Sequence, residues 1–186
     1  MQIVFFGTPL FAASILDFLL QAGKIPSAVV TQPDRPKGRS LLLSSSPVKE
    51  VLLEKIPQCP LYQPEKCSSL EFLESMRQLQ PDLFVVVAFG QILPQALLDI
   101  PKKGAINIHA SLLPKYRGAA PIQRAIMDGE KETGVVIQKM VKQLDAGDVI
   151  ATAKIEIPSH MNAGELQEAL CELAKPLLLV VLDAYS

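Results

Sequence analysis

Two short segments restrict the fold more than anything else in the chain. Residues 2–7 (QIVFFG) and 83–89 (LFVVVAF) are almost unbroken apolar runs. Runs of this length, rich in β-branched and aromatic residues, suit strands covered on both faces, the situation inside a parallel sheet. The first run leads into a helical stretch, with Thr8 placed to cap it, Pro9 in its first turn and Gly23 just past its end. Ser27 to Gln32 (SAVVTQ) reads as a second strand. A strand, a helix and a strand within about 30 residues make a parallel crossover unit. The chain is therefore expected to be α/β: a Rossmann-like open, mostly parallel sheet flanked by helices. Gly7-Thr8-Pro9 lacks both glycine patterns of phosphate-binding loops and reads as a tight strand-to-helix turn.

Further along, Pro33 to Ser40 form a long connection, stiffened by two prolines, in which Arg35, Lys37 and Arg39 occupy alternate positions. It reads either as a solvated surface loop or as a phosphate-contacting arm. Leu41-Leu42-Leu43 suggests that part of it packs down or meets a partner. Ser46 and Pro47 start a helix that runs to about Ile56, and Leu61–Gln63 reads as a short strand. Ser68 to Glu71 is a capping box, after which Leu70, Leu73 and Met76 recur at helical spacing. The 83–89 strand ends at Gly90, before an apolar loop, Gln91 to Pro94. Residues 135–141 are strand-like, and 149–157 alternate as an antiparallel strand near the C-terminal side. Residues 163–185 are helical, with Pro176 expected to kink or divide the helix.

With 186 residues, 49% of them hydrophobic, the chain can bury a full core, and one domain is expected. A formal charge of −1 leaves any contact with nucleic acid to a local patch. Cys59, Cys67 and Cys171 have no metal-ligand spacing, so a reducing cytoplasm and no metal are expected. No leader and no membrane-spanning run is legible.

The chemistry concentrates in residues 104–121, GAINIHASLLPKYRGAAP. Asn107 and His109 lie two apart at the end of a strand and so share a face. A carboxamide beside an imidazole suits polarising a carbonyl and moving a proton. A lone histidine on an apolar strand is commonly structural. The polar neighbour, the strand-end position and the later acidic turn Asp145-Ala146-Gly147-Asp148 argue for a site. Asp145 is a candidate to orient the imidazole. Ligands of open parallel sheets bind outside the carboxyl strand ends, where Gly7, Gly90 and His109 would lie.

These residues match a family. NIHASLLPKYRGAAPIQ, with LDAGD downstream, resembles the folate-dependent formyltransferases. The likeness runs the full length, through FFGTPLFA, TQPDRPKGR, SPVK and VVVAFGQILP. The segments TQPDRP, GR and SPVK look specifically like those members that act on methionyl-tRNA. The resemblance implies transfer of a formyl group from 10-formyltetrahydrofolate, a co-substrate, to the α-amine of initiator methionyl-tRNA. It implies Asn107, His109 and Asp145 as the catalytic trio. Ser111, Leu112, Leu113 and Pro114, with Phe89, Gly90, Ile92 and Leu93, are the implied folate contacts. Arg35, Lys37 and Arg39 are implied at the acceptor end of the tRNA.

Departures are visible. Ser40-Leu41-Leu42-Leu43 stands where the family usually has glycine and lysines, and Gln143 and Ala146 replace a glycine and a threonine beside Asp145. The family also carries a smaller C-terminal β-barrel domain, so residues 1–186 are expected to be the catalytic domain alone, a cytoplasmic monomer without membrane contact. Rival expectations are a sugar-nucleotide N-formyltransferase, a 10-formyltetrahydrofolate hydrolase domain, and a non-catalytic Rossmann-like binding module.

Overall fold

The computed structural model describes residues 1–37 and 42–185, with backbone only for Lys37 and Leu42. The chain divides into two compact units, Met1–Ala105 and Ile106–Ser186. Its principal strands hydrogen-bond as a seven-stranded sheet in the order β5-β2-β1-β6-β7-β8-β9.

In the first unit, β1 (Ile3–Gly7) pairs in parallel with β2 (Ala28–Val30) and with β6 (Leu83–Val87), and β2 pairs in parallel with β5 (Leu61–Tyr62). Every residue of β1 and β6 is buried, as their continuous apolar runs require. The Phe6 ring packs at a tilt against Phe84 and edge-to-face against Phe89, with centroids 4.8 Å and 5.4 Å apart. Helix α1 (Leu10–Gln21) buries Phe11, Ala12, Ile15, Leu16 and Leu19. Its N-cap is Pro9, with no side-chain cap. Thr8, expected to cap it, instead donates its hydroxyl to the Phe89 carbonyl at 2.8 Å, because β1 and β6 end level at Gly7 and Val87. A β-carbon on Gly7 would lie 2.7 Å from Ala12 Cβ, so glycine is needed for α1 to fold back here.

Helices α2 (Pro47–Lys55) and α3 (Leu70–Gln78) are capped by Ser46 and Ser69, which accept from the Lys49 and Phe72 amides. The α3 cap thus falls one residue later than the Ser68 capping box suggested. That rotation buries Phe72, Leu73 and Met76 and leaves Leu70 82% exposed. Helix α4 (Gln95–Leu98) was not expected, and it buries Leu97 and Leu98. Within the connection that starts at Pro33, β3 (Arg35–Lys37) pairs antiparallel with β4 (Leu42–Ser44) as a ribbon.

In the second unit, β7 (Ala105–His109), β8 (Glu132–Lys139) and β9 (Val149–Glu156) pair antiparallel. Helix α5 (Pro121–Met127) and helix α6 (Ala163–Tyr185) pack together, and α6 also packs on β8 and β9. Of the two outcomes expected at Pro176, a kink or a division, the division does not occur. The helix runs through 23 residues and buries Leu166, Leu170, Ala174, Leu178 and Leu182 on one stripe. No helix among the described residues is long and apolar enough to cross a membrane.

Candidate active site

Asn107 and His109 lie on the same side of β7, opposite Gln138 and Val136 of β8. His109 is 6% exposed. Asp145 reaches them from the turn between β8 and β9, where its backbone is left-handed (φ 47°), a conformation that aspartate tolerates better than most residues. Its carboxylate collects four neighbours. Oδ2 accepts the Gly118 amide at 2.8 Å and lies 3.6 Å from His109 Nδ1. Oδ1 accepts Gln138 Nε2 at 2.9 Å and Asn107 Nδ2 at 3.4 Å. The amide, imidazole and carboxylate singled out in the sequence therefore converge, 38 residues apart in the chain at the widest.

The other side of the imidazole is closed by backbone. His109 Nε2 lies 2.9 Å from the Tyr116 carbonyl oxygen. Tyr116 belongs to a loop folded on itself, in which the fully buried Ser111 donates its hydroxyl to the Lys115 carbonyl at 2.7 Å. The Tyr116 phenol bonds Asp128 Oδ2 at 2.9 Å and Glu130 Oε1 at 2.8 Å. Desolvation first, and then those two carboxylates, hold this phenol well above its ordinary pKa. Lys115 and the phenol in turn hold Glu130 below the usual carboxylate range.

Gln138 was not foreseen. It is 2% exposed, and the Asp145 carboxylate orients its amide nitrogen inward, since an amide oxygen there would oppose Oδ1. Its Oε1 is left buried with no hydrogen-bond partner among the described residues. A buried amide oxygen in this position can accept from an ordered water or a bound molecule. The sequence signal was a lone polar residue at an inward position of the apolar run VVIQK.

The other nominated residues are placed as follows. Leu112 and Leu113 are half-buried and Pro114 is exposed. In the first unit Phe89 and Leu93 are buried, Gly90 has φ 92°, and Ile92 is 79% exposed. Arg35 lies on the ribbon with its guanidinium on Glu65 at 2.5 Å. The side chain of Lys37 and all of Arg39 and Leu41 lie outside the described residues, and Leu43 is 73% exposed. The ribbon's base is tied down: Asp34 accepts Lys49 Nζ at 2.6 Å and Gln63 Nε2 at 2.8 Å. Lys49 first, then Gln63, lower the Asp34 pKa, against desolvation. Among the described residues no group of three or more His, Cys, Asp or Glu could hold a metal.

Comparison with known proteins gives a consistent pattern. A family model described as formyl transferase matches residues 1–182. A methionyl-tRNA formyltransferase of Protochlamydia amoebophila is 55% identical over 186 residues, all of this chain and 58% of that protein. The methionyl-tRNA formyltransferase of Moorella thermoacetica is 50% identical over 183 residues, 98% of this chain and again 58% of that protein. The chain thus spans less than two thirds of the length of these relatives. Among solved structures, a phosphoribosylglycinamide formyltransferase from Bacillus halodurans superimposes with a TM-score of 0.77 at 21% identity, over 95% of this chain and 91% of that one. At that identity the likeness speaks for the fold.

Proposed function

This chain belongs to the formyl transferase family, and from that premise we propose that it carries the chemistry of a methionyl-tRNA formyltransferase. The reaction moves a formyl group from 10-formyltetrahydrofolate to the α-amine of initiator methionyl-tRNA. The observation that supports this most is the convergence of Asn107, His109 and Asp145, a set suited to acyl transfer to an amine. Residues 1–186 are read as the catalytic domain of a cytoplasmic, monomeric enzyme.

The donor supplies an electrophilic one-carbon unit. Negative charge grows on the formyl oxygen as the amine adds. Asn107 keeps one amide N–H on Asp145, and the second is available to that oxygen. Asp145 holds the imidazole and the Gly118 amide together, so that the two side chains of β7 keep their aim. Gln138 Oε1 suits an N–H donor of the folate or a bound water. Ser111 to Pro114, and in the other unit Phe89 to Leu93, are read as donor contacts. Arg35, Lys37 and Arg39 are read as contacts to the tRNA.

The test is an acceptor screen with 10-formyltetrahydrofolate. Methionyl-tRNA, a UDP-amino-sugar and water are each offered to this chain and to a version extended past Ser186. Formylmethionyl-tRNA as the product is the expected result. Formylated sugar, or donor hydrolysis at the same rate with and without tRNA, would replace this assignment with one of the sister activities.

A further inference from the structure

The loop that follows β6 is held by side chains. Among the described residues, no backbone–backbone hydrogen bond outside the helices and strands reaches residues 89–93. Gln91 accepts the Cys67 amide on Oε1 at 3.0 Å. From Nε2 it donates to the Pro64 carbonyl at 3.0 Å and to Gln32 Oε1 at 3.3 Å. Gln32 Nε2 in turn donates to the Phe89 carbonyl at 3.2 Å, which also takes the Thr8 hydroxyl at 2.8 Å.

The direction of this relay is set at its two ends. A peptide N–H only donates and a carbonyl only accepts. Cys67 therefore holds Gln91 by its oxygen, and Phe89 holds Gln32 by its nitrogen. Neither amide can turn over without setting like groups against each other. Each bond polarises the next, toward the Phe89 carbonyl. A loop that satisfied its peptide groups internally would hold its shape and offer a ligand nothing. One without any brace would have to be ordered on binding, at a cost in affinity. Two side-chain amides avoid both outcomes.

Resting on the formyl-transfer reading, we propose that Gln32 and Gln91 are positioning residues for the donor: their amides, aligned head to tail, brace the Phe89–Leu93 loop while its peptide groups from Gly90 onward are left for the donor's ring. The main chain of Gln32 carries a separate load, since its carbonyl accepts Gln63 Nε2 at 3.0 Å, part of the tie at the base of the ribbon. Replacing the Gln32 side chain therefore loosens the donor loop and spares the ribbon.

Gln32→Met and Gln91→Met keep length and neutrality and remove the amides. Backbone 15N relaxation on the ligand-free chain is the first readout and needs no substrate. Order parameters of residues 89–93 are expected near the rigid value of about 0.85 in the unaltered chain and toward about 0.6 in each variant. Gln91→Glu keeps an acceptor for Cys67 and loses both donations, so it should loosen the loop likewise, and it stands in should Gln91→Met not fold. Calorimetric titration with 10-formyltetrahydrofolate, on the chain extended past Ser186, is the second readout. The donor Kd should rise about tenfold in each Met variant, one hydrogen bond's worth, with kcat at saturating donor unchanged. The salt slope of tRNA binding should stay the same in Gln32→Met. Unchanged order parameters would overturn the brace, and a wild-type donor Kd in both Met variants would leave it a structural feature without a donor role. Absence of folate binding by the unaltered chain would overturn the formyl-transfer reading and the donor role together. Failure of the relay alone looks different, because the unaltered chain then binds and the variants bind equally well.

Discussion

A buried carboxylate with four neighbours decides what the surrounding side chains can do. Asp145 takes N–H groups from Gly118, Gln138 and Asn107, so its place does not depend on His109. His109→Ala is therefore expected to abolish formyl transfer while the thermal midpoint changes little, and wild-type turnover would discard the histidine's role. Asn107→Ala is expected to lower kcat on the order of 10²–10³, the usual loss for one oxyanion donor. Gln138 offers a sharper contrast. Gln138→Leu removes a donor from Asp145 and, at the same time, an acceptor that is buried without a partner. These changes oppose each other in stability but not in catalysis. Single-turnover rates should fall about tenfold, one hydrogen bond's worth, with little change in melting. A large loss of stability at an unchanged rate would make Gln138 a packing residue.

At the level of elements, the β8–β9 turn and the ribbon each carry a distinct demand. Gly147 follows Asp145 by two residues, and a β-carbon there would lie 1.8 Å from the Lys139 carbonyl oxygen. Because that atom is backbone, the turn itself must shift. Gly147→Ala is expected to cost activity by displacing Asp145, which loss of the His109–Asp145 proximity in a structure of the variant would reveal. The ribbon leaves the rim from a tied base, with Asp34 bound to Lys49 and Gln63 and Gln63 also donating to the Gln32 carbonyl. Changing both Arg35 and Lys37 to Ala should weaken tRNA binding and reduce the slope of log affinity against log salt by about 2, one for each cation contacting phosphate. An unchanged slope with altered folate affinity would assign the ribbon to the other substrate. Since Arg35 is already paired with Glu65, its share of that slope includes exchanging one carboxylate for another anion.

On the scale of the whole molecule, acid should loosen the fold in a definable window. Asp82 is lowered by the Gln2 backbone N–H and then by Lys102, Asp34 by Lys49 and then Gln63, and Glu130 by Lys115 and then Tyr116. A carboxyl whose folded pKa is depressed stabilises the fold fully above its unfolded value, and that stability is lost as pH falls through the folded value. Melting temperature is thus expected to hold near neutrality and to fall below about pH 4. Asp34→Asn should flatten that acid limb, and an equally steep limb would exclude Asp34 as a contributor. All three side chains are only partly exposed, at 22–32%, yet each sits at the surface and is screened by solvent, so each contributes modestly.

The chain's own order of residues was enough for the parallel strands, since β1 and β6 are buried on both faces and leave a continuous apolar signal. It was enough also for the pairing of Asn107 with His109, because a strand repeats every two residues. Three-dimensional packing alone decided the rest. Whether Ser68 or Ser69 caps α3, and so whether Leu70 faces water, turns on a one-residue rotation that both serines allow. Pro176 could stay inside α6, although local rules alone would have broken the helix there. The approach of Asp145, the donation by Gln138 and the Tyr116 carbonyl against Nε2 depend on two left-handed residues and on turns between distant segments. Spacing along a chain carries no record of such contacts, because they arise from where the backbone is forced to bend rather than from any repeat in its side chains.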